Sequence, residues 1–326
     1  CGYSGELVPE KGNVKLPWRL HWPATWSIFG VTFESGGKDH FASGGSVDTG
    51  RAFSKEIFNY EPPVLLGGEF VQIDNKKIAG SKGNVISLKH WLQFAEPELL
   101  RFLYISYQPG TVINIDVKSQ KFFLLTDRYD EAERAYFGHP STTEKRTTQL
   151  KRIYEISQIN GVPDEELLQV PFSTLVMIVQ AVPEPSAKKI VRLLHNMSTI
   201  KTEKLSELDE ARLEHRLRLA VNWVDSCAPE DMKVKLNASA PLISNLTENE
   251  RFAIENLGDE IRKDVTEQEL QEQIYEIARS NNVDPKRFFQ LTYHILISKD
   301  SGPRLGPFIL AVGREKVAKL LEEAIK

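Results

Sequence analysis

Cysteine is nearly absent. The 326 residues hold two, Cys1 and Cys227, far apart in the chain. That excludes a disulfide framework and fits a reducing, cytoplasmic setting. Long apolar runs are missing too. The longest, around residues 175–179, is far too short to span a bilayer, so no membrane partner is expected. The chain does not open with a charged stretch followed by an apolar one, as a secretory leader would. The triplets at Asn196, Asn237 and Asn245 that match the glycosylation pattern are therefore read as chance. Positive charge is not in excess: 41 Lys and Arg against 45 Asp and Glu give a net charge of −4. A global basic field is excluded, and any nucleic-acid binding must use local patches; no DNA partner is expected. No fixed repeat period is visible. What remains is 41% hydrophobic and 26% charged, a globular composition in a chain long enough for two or three domains.

Glycine and lysine concentrate in one stretch, Lys77-Ile78-Ala79-Gly80-Ser81-Lys82-Gly83-Asn84. It follows a short apolar run at residues 70–73 that reads as a strand. Glycines let a backbone approach a phosphate closely and lysines neutralise it, although surface turns share this composition. Upstream, Trp18, Trp22 and Trp26 crowd a Trp- and Pro-rich segment. It reads either as a packed surface loop or as a pocket wall able to hold a cation. Residues 27–33 are apolar and β-branched and predict a buried strand. That strand would run into Gly36-Gly37-Lys38-Asp39-His40, a set of backbone donors, a cation, a carboxylate and an imidazole at a strand's carboxyl end. A small, polar segment at residues 41–50 then leads into a helix through Arg51. Strand, loop, helix, strand, loop is a piece of a parallel α/β sheet, too small for a whole doubly wound domain.

The rest reads as helices, apart from a strand-like break at residues 111–117. Thr247/Glu250 and Thr266/Glu269 are capping-box pairs, and Asp284-Pro285 is an N-cap followed by proline at the first helical position. Basic residues cluster at Lys145-Arg146, Lys151-Arg152, at Lys188, Lys189 and Arg192, and at Arg212, His215 and Arg216. Such clusters are solvated faces or a track for a phosphate backbone. Phe288, Phe289 and Tyr293 are candidates to stack on unpaired bases, or are core.

Taken in order, the motifs resemble class I lysyl-tRNA synthetase, the archaeal and sporadically bacterial type. They are Leu16-Pro17-Trp18-Arg19, Trp22-Pro23-Ala24-Thr25-Trp26, Gly37-Lys38-Asp39-His40, the Ser-Gly-Gly-Ser-x-Asp-Thr-Gly run from Ser43 to Gly50, Tyr60-Glu61-Pro62-Pro63 and Ser81-Lys82-Gly83-Asn84. Downstream come Tyr129-Asp130-Glu131-Ala132-Glu133-Arg134, Val170-Pro171-Phe172, Asn222-Trp223 with Ala228-Pro229-Glu230, and Gly302-Pro303-Arg304-Leu305-Gly306. The resemblance spans essentially the whole chain. It implies a partial Rossmann-like α/β catalytic domain followed by an all-α anticodon-binding cage. Residues 1–110 would be the catalytic part with its signature loop, 111–165 a connecting helical region, and 166–326 the anticodon-binding domain. It implies formation of lysyl-adenylate from lysine and ATP with Mg2+, then transfer to tRNA-Lys.

By the same resemblance, residues 77–84 stand where the family carries Lys-Met-Ser-x-Ser, and bind ATP. Lys77 matches the first lysine and Ser81 the last serine, Ile78 and Ala79 replace Met and Ser, and Lys82 supplies a second charge from a shifted position. Trp18, Asp39 and His40 are implied to bind lysine. Lys188, Lys189 and Arg192 are the expected tRNA phosphate contacts. Gly67-Gly68 stand where the family often carries an aromatic residue before Glu69, which implies a thinner pocket wall. Cys1 is either a free thiol or a metal ligand, with Zn2+ held through partners upstream of it. The two-histidine signature of class I enzymes does not occur in these residues, so the 326 residues alone are expected not to form adenylate. A non-catalytic tRNA-binding protein of synthetase type is the alternative reading.

Overall fold

The computed structural model describes every residue except 1, 3, 7, 13, 79–82, 84 and 242. The chain forms two units, residues 1–85 with 104–115 and residues 86–103 with 116–326. It is mostly helical, with two small sheets.

The first unit contains α1 (Trp18–Phe29), β1 (Phe33–Gly37), α2 (Ser46–Glu56), β2 (Val64–Gly68), β3 (Val71–Ile73), β4 (Lys76–Lys77) and β5 (Ile113–Ile115). β1 and β2 pair in parallel, Phe33 opposite Val64 through Gly37 opposite Gly68, with α2 as the crossover. The second sheet has the order β4-β3-β5. β3 and β4 are an antiparallel hairpin and β3 and β5 are parallel. The hairpin turns at Asp74 and Asn75, both at positive φ (51° and 60°), as a tight two-residue turn requires. The Asn114 side chain accepts the Asn75 N–H at 2.8 Å.

The strand expected over residues 27–33 does not form there. Residues 27–29 are the last turn of α1. Gly30, at φ 63°, ends it by donating to the Trp26 carbonyl, and the strand begins at Phe33. A short apolar, β-branched run does not by itself choose between helix and strand. Burial does: Trp26 is fully buried while Ile28 and Phe29 are 73% and 75% exposed. The strand expected at residues 70–73 exists as β3. The parallel partner that the α2 crossover reaches, however, is β2, from Val64-Leu65-Leu66. The core of this unit is Trp22, Trp26 and Val47, with Val31, Phe41, Tyr60 and Leu65 packed against it.

The second unit is built from α3 (Leu88–Phe94), α4 (Pro97–Ile105, most of it here), α5 (Gln120–Tyr136), α6 (Glu144–Ser157), α7 (Phe172–Ala181), α8 (Ala187–Asn196), α9 (Glu207–Ser226), α10 (Glu248–Arg262), α11 (Glu267–Ser280), α12 (Pro285–Ile297), α13 (Leu305–Val312) and α14 (Arg314–Ile325). Both capping boxes close as expected, Thr247 with Glu250 and Thr266 with Glu269. Asp284 caps α12 through the Arg287 N–H. The apolar run at residues 175–179 lies within α7, where Leu175, Val176, Met177 and Ile178 are buried. No helix among the described residues is long and apolar enough to cross a membrane.

Candidate functional site

The parallel pair β1–β2 sets the geometry of the first unit, because both strands end side by side at Gly37 and Gly68. Ligands in open α/β sheets bind beyond such carboxyl ends. The next residues here are charged. Lys38, in a tight helical turn over Lys38–Phe41, donates to Glu69 at 2.7 Å. Asp39 receives Lys77 Nζ from β4 at 3.0 Å. The Phe70 ring lies under both cations, with Lys77 Nζ 3.9 Å and Lys38 Nζ 5.9 Å from its centroid.

The tryptophans form one wall beside this cluster. Trp18 stacks on Trp22, centroids 5.5 Å apart and planes within 17°. The His40 ring is 5.6 Å from Trp22 and 6.3 Å from Trp18. Trp18 is 53% exposed, so of the three it offers a free face, while Trp22 and Trp26 are buried. Glu34, on β1, accepts the indole N–H of Trp22 at 2.7 Å and that of Trp26 as well. Buried indole donors need such a partner. Glu34 thereby fixes the rotation of α1 that presents Trp18 beside His40. Nothing in the local pattern singled it out, since one acid in a β-branched run looks like any outward-facing residue.

The glycines next to the site carry constraints of space. A Cβ on Gly45 would lie 2.5 Å from the Ala42 carbonyl oxygen, so the turn into α2 admits only glycine. At Gly67, where the sequence suggests a thin wall, the Phe41 ring fills the space, 3.3 Å from a Cβ built there.

Of the phosphate-loop residues, Lys77, Ile78 and Gly83 are described. Ala79, Gly80, Ser81, Lys82 and Asn84 lie outside the described residues, as does Cys1. Among the described residues, no three of His, Cys, Asp and Glu come together in a way that could hold a metal ion.

In the second unit the basic clusters separate into two kinds. Lys188, Lys189 and Arg192 lie on the exposed side of α8, opposite buried Ile190 and Leu194. Lys188 is 3.7 Å from Glu210 and Lys189 donates to the Glu184 carbonyl at 2.9 Å, both contacts at the exposed surface. Arg212 and Arg216, read with His215 as a solvated or phosphate-tracking cluster, instead turn inward: Arg216 is buried and the Arg212 side chain is 13% exposed, while His215 stays exposed. Arg212 makes a two-pronged bond to Glu133, 2.6 Å at each oxygen. Arg216, with its side chain 3% exposed, faces Asp130 at 3.3 Å and Glu96 at 3.6 Å. Tyr154 and Gln169 also donate to Glu133, at 3.1 and 2.6 Å. The Tyr129–Arg134 motif is thus a buried polar hub joining α5, α6 and α9. Its acids recur at helical spacing from Asp130 to Glu133, but partners on α9 could not be read from spacing alone. Burial pushes the Asp130 carboxyl up, and neighbouring Arg216 and Arg212 only partly offset that. Burial also acts to raise Glu133, yet the Arg212 bonds and charge, with Gln169 and Tyr154, hold it below the usual carboxylate range.

Phe288 and Tyr293 are buried in the helical core, so the core reading holds for both. Phe289 is half-buried and packs at 4.9 Å on Tyr275, which is 42% exposed. Gly302 of the Gly-Pro-Arg-Leu-Gly motif leaves room for Tyr293 and Ile297, both 2.9 Å from a Cβ built there.

Residues 1–160, which contain this charged and aromatic site, match the family described as tRNA synthetases class I (K). Over nearly its whole length the chain is similar to lysine–tRNA ligases. It is 37% identical to that of Pyrococcus furiosus, over 98% of this chain and 61% of the relative. It is 38% identical to that of Thermococcus kodakarensis, over 96% of this chain and 59% of the relative. The protein of Borreliella burgdorferi is 37% identical, over 99% of this chain and 63% of the relative. The chain is therefore similar to the lysine–tRNA ligases over nearly all of its own length, its residues 1–160 match the class I (K) synthetase family, and it spans about three fifths of the length of these curated relatives.

Proposed function

We propose that the chain acts as part of a cytoplasmic lysine–tRNA ligase that activates lysine with ATP and passes the lysyl group to tRNA-Lys. The similarity to lysine–tRNA ligases through both units carries this reading. On it, the parallel pair β1–β2 belongs to a Rossmann-like catalytic domain within residues 1–110, residues 111–165 connect, and residues 166–326 form an α-helical anticodon-binding cage.

In the first step a lysine carboxylate oxygen attacks the α-phosphorus of ATP in line, the bond to pyrophosphate breaks, and lysyl-adenylate forms. Such a step needs positioning and charge stabilisation rather than a covalent enzyme intermediate. Lys77, Ser81 and Lys82 act on the phosphates, within the stretch of residues 77–84. Trp18, Asp39 and His40 bind lysine: the exposed indole face takes the side chain, the Asp39 carboxylate takes an ammonium, and His40 closes the wall. In the second step a terminal ribose hydroxyl of tRNA-Lys attacks the acyl carbon and AMP leaves. Mg2+ would travel with the ATP phosphates. The described residues bring together no three of His, Cys, Asp and Glu that could hold Zn2+.

Binding of tRNA-Lys, compared with a tRNA for another amino acid, tests the assignment. The chain is expected to prefer tRNA-Lys, and equal binding would overturn the reading. Replacing Lys188, Lys189 and Arg192 together by alanine is expected to weaken tRNA binding and to lower the slope of log affinity against log salt by about three, about one per lost phosphate contact. All three face solvent, so the fold should stand. An unchanged slope would make this patch a solvated face only.

A further inference from the structure

The cluster beyond β1 and β2 contains a cation site already filled by the chain itself. Lys77 Nζ is held by the Asp39 carboxylate at 3.0 Å and lies 3.9 Å above the Phe70 ring. A carboxylate beside an aromatic face is what recognises an alkyl-ammonium group. Glu69 is not available for this role, because Lys38 neutralises it at 2.7 Å. Asp39 and Phe70 are thus the acid and ring left for a mobile ammonium. The occupant is a lysine side chain, with the same four-carbon stem and ammonium as free lysine.

We infer that Asp39 and Phe70 form an alkyl-ammonium site that Lys77 fills and vacates when nucleotide phosphates draw it away, so that nucleotide opens the site to lysine. This rests on the reading of Lys77 as the phosphate-binding lysine of a lysine–tRNA ligase. The contact suits a reversible latch. The side chains of Lys77 and Asp39 are 57% and 69% exposed, so their ion pair is weak. The ring adds a comparable small contribution, and together they favour the latched state by about tenfold. A triphosphate, with several charge-assisted contacts to offer, outcompetes that. Phe70 is then a specificity residue that motif matching did not find. Charge exchange between two anionic sites also orders the reaction: Lys77 cannot serve ATP and block lysine together.

Two measurements on the full 326-residue chain test this. The first is the acylation rate of Lys77 in the absence of ligand, read by peptide mass spectrometry. It should rise about fivefold in Asp39→Asn and in Phe70→Leu. No change in either variant overturns the latch. Asp39 is exposed, so Asp39→Asn keeps the test valid if Phe70→Leu disturbs the hairpin. The second is lysine affinity by equilibrium dialysis, with and without a non-hydrolysable ATP analogue. Nucleotide should tighten lysine binding about tenfold in the wild type. Lys77→Met should bind tightly without nucleotide and gain nothing from it. Unchanged lysine affinity in Lys77→Met overturns the coupling. If neither form binds lysine under any condition, it is the lysine–tRNA ligase reading of this site that falls, while the acylation rates still decide the latch.

Discussion

Replacing Arg212 by alanine is expected to destabilise the helical unit by about 3–5 kcal/mol, the cost of leaving a buried charge without its partner. The partner is Glu133, whose side chain is 1% exposed. Arg212 supplies two of the four hydrogen bonds that Glu133 accepts; Tyr154 and Gln169 supply the others. Chemical denaturation followed by far-ultraviolet circular dichroism measures the loss. A change under about 1 kcal/mol, typical of an exposed pair, would show that the hub contributes no more than a surface ion pair. Glu133→Gln with Arg212→Met in one chain should recover most of the stability, because neither change then strands a charge.

The hub also sets a pH dependence. Glu133 has a folded value below its unfolded one, so its contribution is present at neutral pH and is lost as pH falls through the folded value. Asp130, raised by burial, acts oppositely: what it contributes is present below its unfolded value and is lost as pH rises through the folded one. Arg212→Ala should therefore remove the Glu133 share of the acid-side loss of stability expected of the wild type. A wild-type and variant pair with parallel acid-unfolding profiles would refute that assignment.

Trp26→Ala is expected to cost about 3–5 kcal/mol in the first unit, the usual price of emptying a buried aromatic site. Trp26 is fully buried, and its ring packs over Gly50, 3.1 Å from a Cβ built there. Its loss also deprives the Glu34 carboxylate of one of two indole donors. Trp18→Ala is the contrast. With Trp18 53% exposed, its removal should change stability by no more than about 0.5 kcal/mol. It should nevertheless weaken lysine binding about tenfold, the scale of one aromatic contact to a cation. Near-ultraviolet circular dichroism and limited proteolysis read the first effect, and equilibrium dialysis the second. If Trp18→Ala unfolds the unit, or leaves lysine affinity unchanged, the division of labour among the tryptophans is wrong.

Local chemistry was legible where the reporting residues are neighbours in sequence. Thr247 with Glu250, Thr266 with Glu269 and Asp284 with Pro285 mark helix starts because a cap bond spans three residues. Gly37-Lys38-Asp39-His40 stood out because several functional groups share one turn. The run at residues 27–33 misled because a short apolar, β-branched run fits either period and the deciding quantity, burial, is not local. Arg212 and Arg216 misled for a related reason. Basic residues at helical spacing look solvated until an acid from a distant helix faces them.

The order of motifs determined by itself that this chain resembles the lysine–tRNA ligases, and its capping pairs and apolar periods determined that most of it is helical. Both kinds of information reside in short, contiguous residue sets. Only the tertiary structure decided that Glu34 holds two indoles, that Phe70 lies under Lys77, and that Glu133 is sealed by Arg212. Each of those joins residues from separate elements. Such pairs are selected by the packing of strands and helices, and no local propensity encodes which side chain will arrive opposite another.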